Sequence, residues 1–403
     1  MLTDEHLETW LVTAVDHERA GTFKDIRIER FRTFLSFLPP PPAPCIIGGT
    51  KGKGSTLRLL EAAIRAHGQA TLAFTSPHVR SVRERWRING VPATLAQLVP
   101  VAQQVAAVEA RSGLGLTYFE RTAAMAVLLA AAIPGCFLLW EVGLGGRLDC
   151  ANALDCRLAI ITHLSHDHRD ILGPDLQAIA GEKLPIARAG RPLLLAPQSP
   201  AGAAAFAHAL AQQFPSGLAV TWITRHARPF DLALLGAHQQ DNASTALAAA
   251  AILLPQFDEA VARHGMATVT LAARCQLVNL DGRRLLIDGA HNGPSIAATL
   301  AVAQTQLRPP WRVVLGTATD KEIDEIYAVL PPGIDIIRCA YDSPRARGAQ
   351  QWPPALLATP WFSDIRAVLA HLTTLDAADV CITGSFYLAA EALRALGVEG
   401  GVG

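Results

Sequence analysis

Short apolar runs alternate with helix-like segments along most of this chain, and that alternation limits the possible fold more than any other feature. Gly, Pro or Asn follows each run, and the first set is Cys45–Ile47, Thr71–Phe74, Cys136–Val142, Leu158–Thr162 and Pro192–Leu195. Strands separated by helices form parallel sheets that are covered by helices on both faces. The sequence therefore predicts an α/β fold with a mostly parallel sheet.

The alternation begins again in the last third of the chain. The second set of runs is Arg284–Ile287, Arg312–Leu315, Ile334–Ile337 and Val380–Thr383. A chain of 403 residues, half of them apolar, is also longer than one ordinary domain requires. We expect two domains, with a boundary between Thr268 and Ala273. The first would cover residues 1–270 and start with a helical segment, and the second, smaller and Rossmann-like, would cover residues 271–403.

Composition argues against several classes of partner. The 35 basic and 35 acidic residues cancel, and no long run of one sign suggests a nucleic-acid surface. The longest apolar stretches, Ala123–Ile133 and Ala243–Leu254, are shorter than the roughly 20 residues that span a bilayer. The start, Met1–His6, lacks the basic and apolar parts of a secretion signal, and the seven cysteines form no C-x-x-C pair. We expect a cytoplasmic protein with reduced thiols that binds neither nucleic acid nor membrane.

A glycine-rich loop, Gly48–Thr56, lies between the first apolar run and the helix-like segment Leu57–His67. Glycines let a backbone wrap around phosphates, and the N-terminus of the following helix directs free N–H groups toward negative charge. Lys53 can reach the β- and γ-phosphates, while Ser55 or Thr56 offers a hydroxyl. The loop departs from the common G-x-x-x-x-G-K-[ST] pattern because Gly54 separates lysine from hydroxyl. A flexible glycine turn is the alternative to a phosphate site.

The loop resembles that of the folylpolyglutamate synthases and dihydrofolate synthases, within the Mur ligase superfamily, and Lys51 matches the eukaryotic version. The resemblance continues in order through Thr75–His78 with Arg83–Gly90, Thr117–Glu120, Glu141–Asp149, Asp167–His168, Gly181–Lys183, Gly236–Asn242, Asp288–Asn292, Asp320–Glu322 and Thr383–Tyr387. It implies a monomeric ligase that uses ATP and Mg²⁺. Such a ligase adds L-glutamate to dihydropteroate or to a folate polyglutamate through an acyl-phosphate. The alternatives are a superfamily ligase for another acid, such as a cell-wall precursor, and a non-catalytic nucleotide-binding homologue.

Glu141 is the first candidate metal ligand. It ends a strongly apolar run, at the edge where an open parallel sheet binds its ligands, and its carboxylate is a hard oxygen donor of the kind that Mg²⁺ prefers. The resemblance adds Ser76 and His168 as further Mg²⁺ ligands. The alternatives are that Ser76 caps a helix and that His168 faces solvent in a loop.

Lys183 is the second candidate, because the resemblance implies that it reacts with CO₂ and that the resulting carbamate binds a metal ion. An ammonium cannot attack CO₂, so the reaction requires a lysine whose pKa is lowered by burial. The family usually continues with Ala-Gly, whereas this chain has Leu184-Pro185. An ordinary surface lysine is the alternative.

The remaining roles follow from the resemblance alone. It implies that His291 lies near the incoming amino acid and acts in catalysis with Lys53 and Lys183. Because ligands would come from both domains, closure would exclude water from the acyl-phosphate. The implied ATP-binding residues are Gly52, Lys53, Gly54, Ser55, Asn242, Arg274 and Asp288. Arg274 belongs to a G-R-x-Q motif that reads Ala273-Arg274-Cys275-Gln276 here.

A pterin pocket is implied around the helical segment Phe23–Arg30 and at Tyr118, Phe119, Glu120, Leu148 and Asp149. Phe119 could stack on a flat pteridine, and an acidic side chain could pair with its amino-pyrimidine edge. A Phe119 that only fills the core is the alternative.

Overall fold

A computed structural model describes residues 4–15 and 28–398. These residues form two compact units, each described here by itself. The first contains residues up to His78, Val82–Asp231 and His238–Val269; the second contains Val79–Ser81, Leu232–Ala237 and residues from Thr270 onward. The boundary near residue 270, as the limit of an independently folding domain, stays a prediction.

The first unit is built on an eight-stranded sheet in the order β4-β3-β2-β5-β1-β6-β7-β8. Only the pairs β2–β3 and β3–β4 are antiparallel. All five apolar runs predicted as strands here are strands, which confirms the mostly parallel α/β fold. The strands are β1 Cys45–Gly48, β2 Thr71–Phe74, β3 Trp86–Ile88, β4 Val91–Pro92, β5 Phe137–Glu141, β6 Leu158–Ile161, β7 Leu193–Leu195 and β8 Val220–Trp222.

Helices cover this sheet, and the large residues between them and the strands, such as Phe74 and Trp140, are fully buried. Capping boxes at Thr94 and Thr117 begin two of the helices, as these sequence positions favour. The helices are α1 Asp4–Val12, α2 Ile28–Leu35, α3 Lys53–Ala66, α4 Leu95–Ser112, α5 Tyr118–Ala131, α6 Arg169–Leu172, α7 Leu176–Lys183, α8 Pro200–Gln213, α9 His238–Leu253 and α10 Glu259–Ala267.

The second unit contains a six-stranded sheet in the order β13-β12-β11-β14-β10-β9, parallel except for β9. The four predicted runs form its central strands. Its strands are β9 Gln276–Leu280, β10 Arg283–Ile287, β11 Trp311–Leu315, β12 Asp335–Cys339, β13 Trp361–Phe362 and β14 Asp379–Thr383. Its helices are α11 Gly293–Gln306, α12 Ile323–Ala328, α13 Pro354–Leu357, α14 Ile365–Thr373 and α15 Phe386–Ala395.

Two expectations from composition can be compared with this fold. All seven cysteines are buried, and none forms a disulfide. Within residues 4–15 and 28–398, no helix has the length and apolar character needed to cross a bilayer.

A buried carboxylate links the strands of the second unit. The Asp379 side chain, at the start of β14, is 0% exposed and pairs with the guanidinium groups of Arg284 and Arg308. It also accepts hydrogen bonds from the backbone N–H groups of Arg284 and Arg308, at 2.9 and 2.7 Å. Burial by itself raises the pKa of Asp379, but the hydrogen bonds from Arg308 and Arg284 outweigh it and hold the pKa well below its usual range.

We expect Asp379→Asn to lower the free energy of unfolding by about 3 kcal/mol at pH 7, because it removes one partner of a buried ion pair. The folded pKa lies below the unfolded value, so this stabilisation is present above the unfolded pKa of about 4 and disappears as the pH falls through the folded pKa. Urea unfolding at pH 7 and in acid measures both effects. Asp376→Asn, which changes an exposed carboxylate paired with Arg312, is the control. Equal stability of the two variants at pH 7 would refute the role of Asp379.

Candidate active site

The carboxyl ends of three neighbouring strands of the first unit meet at one edge of the sheet. Strand β1 lies between β5 and β6, and Ile47 pairs with Glu141 on one side and Ile160 on the other. Beyond the strands, Thr162 donates from its backbone N–H and its hydroxyl to Gly48 O, at 2.9 and 3.1 Å. The loops that follow β1, β5 and β6 are therefore neighbours.

The glycine loop after β1 is shaped by close packing. Gly49 and Gly52 have φ angles of 135° and 91°, which favour glycine. A Cβ atom on Gly49 would lie 1.9 Å from Thr162 Oγ1, and one on Gly52 would lie 2.4 Å from Asn242 Oδ1. These close contacts argue against the alternative of a flexible glycine turn. The backbone instead leads directly into α3 at Lys53, in the arrangement that binds phosphate in other proteins.

Residues predicted to bind nucleotide surround this loop. Ser55 and Thr56 are buried in the first turn of α3. Asn242, on α9, is also buried, and its Oδ1 lies 3.4 Å from Thr56 Oγ1 while its Nδ2 donates to Gln239 Oε1. The structure thus brings Asn242 to Gly52 and Thr56 from 186 residues further along the chain.

Two lysines converge on one carbonyl of the loop. Lys53 Nζ donates to Gly49 O at 3.2 Å and to Thr50 O at 3.4 Å, and Lys183 Nζ donates to Gly49 O at 3.0 Å. Lys183 is only 4% exposed, so it is not an ordinary surface lysine. Burial, and next the charge of Lys53, lower the pKa of Lys183 to about 7. A large fraction of Lys183 is therefore the neutral amine near neutral pH.

The unusual Leu184-Pro185 sequence is accommodated without displacing Lys183. Helix α7 ends at Lys183, and a 3₁₀ turn over Leu184–Ile186 follows. Proline is tolerated in the first turn of a helical segment, where its missing N–H is not needed. The change from the usual family sequence therefore leaves the lysine at the loop.

Asp167 is a residue for which sequence reasoning found no role beyond its place in the Asp-His pair. Its charge counteracts the lowering of pKa at both Lys51 and Lys183, so its carboxylate lies near both. It supplies negative charge beside the lysines of the loop. The only signal in the sequence was that motif.

Glu141 and Ser76 are brought together. Glu141 is 5% exposed, and the backbone N–H of Ser76 donates to its Oε2 at 3.2 Å. A Cβ atom on Gly54 would lie 3.6 and 3.7 Å from the two carboxylate oxygens, so the first turn of α3 lies beside the Glu141 carboxylate. A carboxylate beside a phosphate loop fits Mg²⁺, which binds nucleotides through one or two protein carboxylates, waters and phosphate oxygens.

His168 is the other side chain that was predicted to bind the metal ion. Within the described part of the chain, no group of three or more His, Cys, Asp or Glu side chains could hold a metal ion. His168 is the N-cap residue that precedes α6 and has a φ of 48°, and its Nε2 lies 3.9 Å from Asp167 Oδ1. Its assignment as a Mg²⁺ ligand stays a prediction, as do those of Ser76, Glu141 and Lys183.

The predicted site residues of the second unit form a cluster of their own. Asp288 directly follows β10 and accepts hydrogen bonds from Cys275 N at 2.7 Å, Ala290 N at 2.8 Å and Thr299 Oγ1 at 2.9 Å. The Arg274 guanidinium lies 5.1 Å from the centre of the Phe386 ring. His291 Nδ1 lies 3.1 Å from Gly289 O.

Comparison with known proteins decides the family. The Mur ligase glutamate ligase domain matches residues 273–386. A dihydrofolate synthase/folylpolyglutamate synthase of Escherichia coli strain K12 is 32% identical over 395 residues, which cover 92% of this chain and 90% of that protein. This chain belongs to the folylpolyglutamate synthase family.

Solved structures of the folylpolyglutamate synthase family share its fold over almost the whole chain. The Mycobacterium tuberculosis folylpolyglutamate synthase complexed with ADP has a TM-score of 0.84 at 26% identity, with 98% of each chain covered. A Yersinia pestis CO92 folylpolyglutamate synthase/dihydrofolate synthase, complexed with AMPPNP and Mn ion, has a TM-score of 0.81 at 28% identity. The match covers 97% of this chain and 98% of the Yersinia pestis chain.

The residues predicted to form a pterin pocket lie near the loop that follows β5 and in helix α5. Phe119 is half-buried, and a Cβ atom on Gly143 would lie 2.9 Å from its ring. Glu120 forms a two-point ion pair with Arg30, at 3.2 and 2.6 Å, and accepts from Thr117 N. Tyr118 is buried under the Arg85 guanidinium.

Asp149 is engaged with the loop after β5. Its carboxylate accepts from Gly143 N at 3.0 Å, Leu144 N at 3.3 Å and Ala151 N at 2.8 Å. Leu148 is half-buried beside it. Phe119, Gly143 and Asp149 are therefore neighbours, although their contact with a pterin stays a prediction. Residues 23–27 of the segment Phe23–Arg30 lie outside the described residues.

Proposed function

We propose that this chain is an ATP- and Mg²⁺-dependent ligase that joins L-glutamate to dihydropteroate or to a folate or its polyglutamates. Its membership of the folylpolyglutamate synthase family supports this reaction. The observation that carries the proposal is the meeting of Lys53 and Lys183 on Gly49 O at the phosphate loop. Burying two lysine side chains at one carbonyl costs free energy, and the packing of an α/β core does not require it.

The chemistry requires activation of the acid. A carboxylate and an amine do not condense in water, so the carboxylate oxygen attacks the γ-phosphorus and ADP leaves. The amine of L-glutamate then attacks the acyl carbon of the acyl-phosphate, loses a proton and expels phosphate. Such phosphoryl transfer depends on positioning and charge neutralisation more than on covalent help from the protein.

This chain's residues would divide that work. The backbone N–H groups at the start of α3, within Gly52–Ser55, would bind the phosphates, and Lys53 would neutralise charge on the terminal phosphate. Glu141 and Ser76 would hold the metal, with His168 as a further ligand. Bound Mg²⁺ supplies the positive charge that phosphoryl transfer needs.

Lys183 would complete the metal site as a carbamate. Its neutral amine would form a bond from Nζ to the carbon of CO₂ and release one proton, which gives a carboxylate in place of a cation. Burial lowers the pKa of Lys183 to about 7, so the neutral amine that this step needs is present near neutral pH. Arg274, Asp288 and Asn242 would contact the nucleotide, and His291 would lie near the incoming amino acid.

A substrate panel tests the proposal. We expect glutamate-dependent release of phosphate from ATP with dihydropteroate, with a reduced folate monoglutamate, or with both. A nucleotide-linked muramyl acid should give none, because the pterin is the part of the acceptor that this family recognises. Release with the muramyl acid alone would favour another superfamily ligase. ATP binding without any acceptor-stimulated turnover would favour a non-catalytic homologue.

Two finer properties belong to the same proposal. We propose a monomer, as the family resemblance implies, with all its partners being small molecules rather than nucleic acid. A cytoplasmic location is supported by seven buried cysteines without a disulfide, since disulfides are rare in reducing compartments.

A further inference from the structure

A glutamine side chain joins two strands of the first unit where their own pairing ends. The last backbone bond between β6 and β7 runs from Ala196 N to Ile161 O, at 2.9 Å. Gln198 follows β7, and its Nε2 donates to Ala196 O at 2.9 Å and to Thr162 O at 3.2 Å. Its Oε1 accepts from the backbone N–H of Leu164 at 2.9 Å. One half-buried amide thus continues the ladder and fixes the segment that follows β6.

The segment that follows β6 holds the phosphate loop in turn. The backbone N–H groups of Thr50 and Lys51 both donate to His163 O at 3.1 Å, and Thr50 Oγ1 donates to Ser165 O at 3.1 Å. These two carbonyls lie on either side of Leu164, the residue whose N–H is bound by the glutamine amide. Two N–H groups of the loop therefore anchor it to this segment, directly before α3 begins.

Close packing holds the glutamine amide in place. Gly202 is buried in the first turn of α8, and a Cβ atom there would lie 3.3 Å from Gln198 Oε1 and 3.6 Å from Leu164 Cβ. His163 Nδ1 lies 3.3 Å from the carbonyl oxygen of Pro197, the residue before Gln198. All three hydrogen bonds of the amide are therefore formed by the protein alone, so the loop is organised before a ligand binds.

We propose that Gln198 is a positioning residue for the phosphate loop, acting through the carbonyl groups of His163 and Ser165. This inference rests on the proposed function, in which the loop binds the phosphates of ATP. Without the amide, the loop would hold its binding conformation for only a fraction of the time, and the apparent affinity for nucleotide would fall by that fraction. Bound nucleotide would restore the conformation, so turnover at saturating ATP should change little.

The first experiment uses Gln198→Met, which keeps the length of the side chain and removes its hydrogen bonds. We expect the affinity for ADP with Mg²⁺, measured calorimetrically, to fall by about tenfold, because three hydrogen bonds to backbone groups are lost. KM for ATP should rise by the same factor, with kcat and KM for L-glutamate changed by less than about threefold. Gln69→Met is the matched control, since its exposed amide donates to His67 O at 3.4 Å, beyond the other end of α3. Wild-type ADP affinity in Gln198→Met would overturn the proposal.

The second experiment separates positioning of the loop from a general loss of stability. In the absence of nucleotide, the amide hydrogens of Thr50 and Lys51 should exchange with solvent faster in Gln198→Met than in wild type, because their acceptor His163 O is no longer fixed. Saturating ADP should remove the difference. Unchanged exchange at these two amides, or an equal rise across the whole first unit, would refute the inference.

The two proposals fail in different ways. If the wild-type chain bound ADP but released no phosphate with any folate acceptor, the proposed function would fail, while ADP affinity and hydrogen exchange still tested Gln198. Should Gln198→Met not fold, Gln198→Glu decides, since it keeps an acceptor for Leu164 N but loses both donated hydrogen bonds. The same loss of ADP affinity in Gln198→Glu supports the inference, and wild-type affinity overturns it.

Discussion

Lys53→Ala is expected to lower kcat/KM for ATP by about 10²–10³-fold, with both folate acceptors alike. Lys53 Nζ donates long, weak hydrogen bonds to two carbonyl oxygens of its own loop, Gly49 O at 3.2 Å and Thr50 O at 3.4 Å. Those bonds leave the ammonium at the point where a terminal phosphate would lie, beside the free N–H groups of α3. Losing one preorganised charge of this kind commonly reduces turnover by that factor. Steady-state kinetics at saturating glutamate measure the loss.

Two control variants test whether the loss of activity in Lys53→Ala comes from the charge at the phosphate site or from the loss of any positive charge on α3. Arg65→Ala removes an exposed cation from the last turn of the same helix and should leave kcat/KM unchanged. Lys53→Arg keeps the charge but replaces a compact ammonium with a wide planar fork, so we expect only partial activity. A fully active Lys53→Ala enzyme would remove the basis of the proposed reaction.

Local signals in the sequence were sufficient for the sheet and the phosphate loop. Each predicted strand is a short apolar run that ends in Gly, Pro or Asn, and a buried parallel strand needs little more. The hairpin β3–β4 and the strands β8, β9 and β13 were missed, because they are only two to five residues long and most of them are partly polar. Pairing with a neighbouring strand, rather than their own pattern, makes these segments strands.

Long-range contacts explain what the sequence could not reveal about the site. That Asn242 lies against Gly52, and Lys183 against Gly49, depends on how α9 and α7 pack beside the loop. The resemblance implied that Asp288, which follows a strand, is one of the ATP-binding residues. It could not show that Cys275, Ala290 and Thr299 already use the carboxylate.

Lys183→Met is expected to abolish activity and, at the same time, to raise the stability of the fold. Met fits the same buried space without a charge, whereas wild type must bury an amine whose pKa falls from 10.5 to about 7. The unfolded chain therefore binds a proton that the folded chain lacks between these values, and wild-type stability rises with pH across that window. Below pH 7 the burial penalty is fully present, on the order of 5 kcal/mol.

The stability gain of Lys183→Met should thus be largest below pH 7 and shrink toward pH 10.5. Urea unfolding in CO₂-free buffer, without Mg²⁺ or nucleotide, measures it across this range. Lys321→Met is the control and should give no comparable gain, since its ammonium lies 4.0 Å from the half-exposed Asp320 carboxylate. If Lys183 lowers the stability of the fold and its removal stops the reaction, the residue is retained for its chemistry rather than for folding. If Lys183→Met were less stable than wild type at pH 6, Lys183 would instead be a structural support for the Gly49 carbonyl, and its role as a reactive amine would be lost.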